Sequence, residues 1–175
     1  MDVHNLLTTY KASELSDKHV AVFYLHGGGL LYGERDDLPS PYIELLTKAG
    51  YTVIAADYPL APESALPDIM AAITETFKEA VLAPTESGEF DGYVLFGRSA
   101  GANLTLLLSR ELKRQNISPQ PLGIIDLYGY YDLTDKAIAL PAKAYSSLPE
   151  VSDKTVDAIT RDSGQPTTGA KATRY

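Results

Sequence analysis

The chain has 175 residues, 45% of them hydrophobic and 22% charged, enough apolar material for one globular domain with a sizeable core. A net charge of −8 and the lack of a basic patch argue against nucleic acid as a partner. There is no cysteine, which excludes disulfides, thiolate catalysis and cysteine metal sites; His4, His19 and His26 lack metal-ligand spacing, so no metal is expected.

Met1-Asp2 opens without a basic or apolar leader, and no apolar run is long enough to span a bilayer. The chain therefore reads as cytoplasmic, with no membrane partner. Residues 3–10 read as a short edge strand, and Ser16-Asp17-Lys18 as a turn. Residues 19–25 are almost continuously apolar, like strands buried on both faces in parallel sheets. This run ends at His26-Gly27-Gly28-Gly29, where consecutive glycines leave backbone N–H groups bare and able to approach a ligand. After a loop to Ser40, Tyr42, Ile43, Leu45, Leu46 and Ala49 mark one helix face, and Gly50 is its stop.

Residues 51–56 form the next strand pattern. Asp57-Tyr58-Pro59-Leu60-Ala61-Pro62-Glu63 follows, then a helix near Pro67–Val81, with proline in its first turn. Residues 83–92 read as a polar loop. The apolar run 93–96 leads into Gly97-Arg98-Ser99-Ala100-Gly101, which opens a helical pattern over 102–114. In that strand–turn–helix context, G-x-S-x-G is a nucleophile elbow: the turn is too tight for side chains at Gly97 and Gly101, and Ser99 projects above the sheet edge. Taken alone, the pentapeptide also fits an ordinary turn with an N-cap serine.

Leu104, Leu107, Leu108 and Leu112 recur at helical spacing and face the sheet, and Lys113 and Arg114 suit the helix C-terminus. Residues 122–128 form a further strand, inside which Asp126 needs a buried partner. Residues 136–144 and 151–161 read as short helices, and 162–175 as a polar tail. Strands alternating with helices give an α/β class with a mostly parallel, doubly wound sheet flanked by helices.

His26-Gly27-Gly28-Gly29, the Asp57–Glu63 segment and Gly97–Gly101, in this order, resemble the alpha/beta-hydrolase superfamily, most closely its hormone-sensitive-lipase-like esterases. The likeness runs from about Val20 to Tyr130. Pro59 stands where that pattern carries an arginine. The resemblance implies an alpha/beta-hydrolase core over 1–135 that lacks the C-terminal strands. Residues 136–175 are then the start of a cap insertion or a partly disordered tail.

It also implies that the 20–25 and 93–96 strands lie side by side, bringing Gly28 and Gly29 near Ser99. Ser99 is then the nucleophile toward a small-molecule carboxylic ester, and the amides of Gly28, Gly29 and Ala100 form the oxyanion hole, with no cofactor. Losing one such donor costs about 2.7–4 kcal/mol of barrier.

A serine hydroxyl needs a positioned base, itself oriented by a carboxylate. In the resembling superfamily both follow the serine in chain order, whereas no histidine follows His26 here. In those esterases the histidine of the glycine motif shapes the loop. His19 falls at the opposite end of the sheet from Ser99, and His4 on the edge strand. Asp132 and Asp135 follow the last clear strand and read as loop-polar or N-capping groups. Removing the base of a comparable triad costs roughly 10⁶ in rate. The expectation is a fragment of a longer serine hydrolase, with little activity as given. The apolar 122–128 strand, left as an open edge, agrees. A noncatalytic ligand-binding homologue, or a peptidase of the prolyl-oligopeptidase type, is the alternative.

Overall fold

The computed structural model describes residues 6–136, 140 and 143–160. The sheet has five strands: β1 (Leu7–Tyr10), β2 (Val20–Leu25), β3 (Tyr51–Ala56), β4 (Gly92–Arg98) and β5 (Gly123–Leu127). Their spatial order is β1-β3-β2-β4-β5. Only β1 runs antiparallel, against β3. β2 is paired in parallel on both sides, with Leu25 opposite Ala56 of β3 and opposite Gly97 of β4. A strand with neighbours on both edges and layers on both faces must be apolar throughout, and Ala21 to Leu25 are all buried.

The helices are α1 (Ser40–Lys48), α2 (Leu66–Phe77), α3 (Ala83–Glu86), α4 (Ala100–Arg114) and α5 (Asp153–Thr160). On one face of the sheet, Phe23, Tyr93 and Leu95 pack under Ile69, Ile73 and Phe77 of α2 and Leu104, Leu108 and Leu112 of α4. The Phe77 ring meets Phe23 and Tyr93 edge-on, at centroid distances of 5.5 and 4.9 Å. Each such buried side chain contributes about 1.5–3 kcal/mol through burial. On the other face, Val22, Tyr24, Val53 and Phe96 form a smaller core, against which Ile43 and Leu46 of α1 pack.

Several expectations need correction. Tyr42 and Leu45 of α1 are exposed, so only part of its apolar set is used. The polar loop expected from residue 83 begins later. α2 widens into a π turn over Lys78–Leu82 and re-enters an α-helix with Pro84 in its first turn, where a missing N–H costs nothing. Leu107 is half-buried, unlike its three partners. Asp126 has no buried partner: β5 is the outer strand, and Asp126 is exposed and accepts from the Gly129 amide (2.9 Å).

The expected edge strand appears as β1, while His4 lies outside the described residues. Of the helix read over 136–144, residues 137–139, 141 and 142 lie outside them too, and 143–145 form a 3-10 turn. The helix over 151–161 appears as α5, and the 162–175 tail is outside the described residues.

Candidate active site

β4 delivers Ser99 to the carboxyl edge of the sheet, and α4 begins one residue later. Ser99 has φ 52° and ψ −117°, a conformation that costs a non-glycine residue on the order of 1–3 kcal/mol. Three hydrogen bonds hold it there. Its amide donates to the Leu127 carbonyl at the end of β5 (2.9 Å), and its carbonyl accepts from Ala102 (3.1 Å) and Asn103 (3.2 Å). Both flanking glycines are required by contact. A Cβ on Gly97 would overlap the Gly101 backbone, and one on Gly101 would overlap the carbonyl oxygens of Leu25 and His26. The side chain of Ser99 is partly accessible, and among the described residues its hydroxyl has no hydrogen-bond partner.

The glycine run leaves β2 beside this turn. Gly27 faces the elbow: a Cβ there would lie 3.3 Å from the Arg98 carbonyl oxygen and 3.4 Å from Ser99 Cβ. Gly28 and Gly29 follow with φ 108° and 61°, and the Gly28 carbonyl accepts from Leu31 and Tyr32, closing the loop into a turn. A Cβ on Gly28 would overlap the Tyr32 carbonyl, whereas one on Gly29 would meet open space. Ala100 is buried and is the first residue of α4, where backbone amides lack helical acceptors and the dipole favours negative charge.

His26 lies beneath the loop and is fully buried. Its Nδ1 donates to the Gly27 carbonyl (2.7 Å), and its ring stacks on Tyr58 at 4.2 Å. Burial lowers its pKa, with the Gly27 bond and Asp57 opposing, so the imidazole is neutral at physiological pH. Nε2 has no hydrogen bond and lies 3.9 Å from Asp57 Oδ1. Neither ring nitrogen bonds Ser99. The Tyr58 hydroxyl donates to the His26 carbonyl (2.8 Å), fixing the backbone at the mouth of the glycine run.

The other described histidine, His19, is exposed and precedes β2 at the far end of the sheet from Ser99. Asp132 accepts from the amide and hydroxyl of Thr134, which hold its carboxyl below the usual carboxylate range.

Sequence reasoning missed the charged turn downstream of the glycines. Arg35 pairs with the buried Asp57 through its guanidinium, and its amide donates to Asp57 Oδ1 (2.7 Å). A guanidinium therefore does stand beside this segment, supplied from residue 35. The only signal was a run of charges, Glu34 to Asp37, inside a glycine-rich loop. Two surface grooves lie elsewhere. One of about 520 Å³ separates α2 from α4, lined by Leu66, Met70 and Leu107, and one of about 440 Å³ lies by His19 and Phe90. Neither is lined by the elbow or the glycine run. No helix among the described residues is long and apolar enough to cross a membrane.

A family model described as alpha/beta hydrolase fold matches residues 22–172. An esterase of Acinetobacter venetianus is 33% identical over 113 residues, covering 65% of this chain and 36% of that protein. An acetyl esterase of Salmonella paratyphi B is 31% identical over 134 residues, covering 74% and 41%. A crystal structure of an alpha/beta hydrolase superfamily protein from Enterococcus faecalis superposes with a TM-score of 0.73 at 34% identity, covering 94% of this chain and 56% of that one. The chain thus spans about two fifths of the length of these two curated relatives.

Proposed function

The chain belongs to the alpha/beta hydrolase fold family, and from that premise we propose that it is the nucleophile-bearing part of a carboxylic-ester hydrolase. In this reading residues 1–135 are the hydrolase core, and 136–175 are the start of a cap insertion or a tail. Ser99 Oγ attacks the ester carbonyl of a small substrate. Its proton passes to a base, the C–O bond to the alcohol breaks, and the base protonates the departing alkoxide. Water then attacks the acyl-serine, releases the carboxylic acid and restores the hydroxyl. The amides of Gly28, Gly29 and Ala100 receive the negative charge that builds on the carbonyl oxygen, each contributing about 2.7–4 kcal/mol to lowering the barrier. Among the described residues neither histidine bonds Ser99, so this reading assigns no base to them.

The observation that carries this reading is the serine held at φ 52° beside the glycine run, where a side chain on the first glycine would meet its Cβ. Such a conformation is strained and persists only where surrounding structure enforces it. The esterase names of two curated relatives favour esters over peptides as substrates. In the protein translated from its complete reading frame, a fluorophosphonate should label Ser99, and Ser99→Ala should abolish the labelling. Labelling that persists in that variant removes Ser99 as nucleophile. A second reading, a noncatalytic ligand-binding protein, is favoured by the engagement of His26 with Gly27 and the remoteness of His19. It predicts no labelling in any form of the protein.

A further inference from the structure

The short turn Arg35–Asp37 is tied to strands across the sheet. The Arg35 side chain donates to Thr8 Oγ1 of β1 (2.9 Å) and pairs with Asp57, just past β3. Tyr10 of β1 donates to Asp36 (3.1 Å). Tyr24 of β2, fully buried, donates to Asp37 Oδ1 (2.5 Å). Arg98, the last residue of β4, donates from Nη1 to the Asp37 carbonyl (3.0 Å) and from Nε to the Tyr128 hydroxyl, just past β5 (2.8 Å).

This arrangement differs from a solvated charge cluster. The Arg98–Asp37 carboxylate distance is 3.8 Å with both side chains partly exposed, so the ion pair itself contributes little. The geometry carries more. A planar guanidinium holds two acceptors at a fixed angle, which an ammonium does not reproduce. One of those acceptors is the carbonyl of Asp37, near the end of the loop begun by His26-Gly27. The backbone that carries the guanidinium precedes Ser99 by one residue. Burial, and then Asp37, pushes the Tyr24 phenol far above its usual range, so it remains a donor beneath the turn.

We propose that Arg98 is a positioning residue: with Asp37 and Tyr24 it locks the end of the glycine loop to the nucleophile turn, so that the loop amides and Ser99 keep one relative placement. The claim rests on the hydrolase reading, because only there do those amides and that hydroxyl act on one carbonyl.

Amide hydrogen exchange on the 175-residue chain tests the coupling directly. In Arg98→Met, the amides of Leu31, Tyr32, Arg35 and Asp37 should exchange about tenfold faster, while those of β2 and β3 keep their rates. Arg98→Lys, whose ammonium lacks the planar fork that spans both acceptors, should recover part of the difference. Unchanged loop exchange in a variant that melts cooperatively overturns the proposal. So does a uniform rise across β2 and β3, the mark of general destabilisation. Should Arg98→Met fail to fold, Tyr128→Phe removes a single acceptor and should raise loop exchange about threefold.

The second arm is the rate of Ser99 phosphonylation in the protein from its complete reading frame. Arg98→Met should slow the chemical step about tenfold and leave reversible probe binding unchanged. A loosened loop with an unaltered chemical step also overturns the proposal. If the unmodified protein is not labelled at all, the hydrolase reading fails, and loop exchange alone decides whether Arg98 couples the two segments.

Discussion

β4 and β5 are parallel neighbours that both end at the candidate site, yet they are built differently. In β4, Tyr93, Leu95 and Phe96 are buried, with a strand on each side and a core on each face. In β5, Ile124 and Ile125 are each 36% exposed, and the strand has one neighbour. The candidate nucleophile follows the enclosed strand by one residue. Ser99 keeps its unfavourable φ because β2, α4 and the Leu127 carbonyl surround it. β5 contributes a single backbone acceptor to that arrangement, and Tyr128, one residue past its end, also has a positive φ, 50°.

The sharpest way to break this contrast is a matched pair of glycine substitutions. Gly101→Ala, which overlaps two β2-end carbonyls, should cost about 4 kcal/mol or more in urea unfolding. Gly123→Ala on β5 meets nothing within 4 Å and should stay within about 0.5 kcal/mol of the parent. Equal losses would show that the two strands are equally constrained. A second pair sharpens the comparison. Leu95→Ala should cost about 2–5 kcal/mol, and Ile124→Ala about 1 kcal/mol or less, because the outer side chain is already partly hydrated.

The smallest effect concerns pH. Burial holds the His26 pKa below 6.5 in the fold, so on acidification the unfolded chain takes the proton first. The stability due to neutral His26 is therefore complete above about pH 6.5 and declines as pH falls below it. His26→Asn should make Tm less steeply dependent on pH between about 7 and 5.5. A slope that survives this change assigns the dependence to other groups.

The strands were legible because burial on both faces writes itself as continuous apolar runs: Val20–Leu25 and Tyr51–Ala56 appear within a residue of where the sequence puts them. The elbow was legible because its glycines are demanded by backbone overlap, which leaves few alternatives at Gly97 and Gly101. Other features left weaker traces. Pro84 reads as a helix breaker, and nothing in composition signals that a π turn before it lets the helix resume. Tyr42 and Leu45 share the apolar spacing of Ile43 and Leu46, but periodicity cannot tell how much of a face the sheet will cover. Asp126 looked buried because edge and interior strands share a residue pattern. The Arg35–Asp37 and Arg98 network is invisible in sequence, since its partners lie on different strands and have no common period. The glycine run marks the loop, while its approach to Ser99 depends on how β2 ends.

The pairing of Leu25 with Gly97 has a kinetic side. The glycine loop closes on itself through the Gly28 carbonyl, and a turn of that size forms within microseconds, whereas the elbow's strained serine needs its surroundings. Joining them requires closing a loop of about seventy residues, which costs chain entropy before any contact repays it. The elbow is thus completed by that meeting and does not precede it.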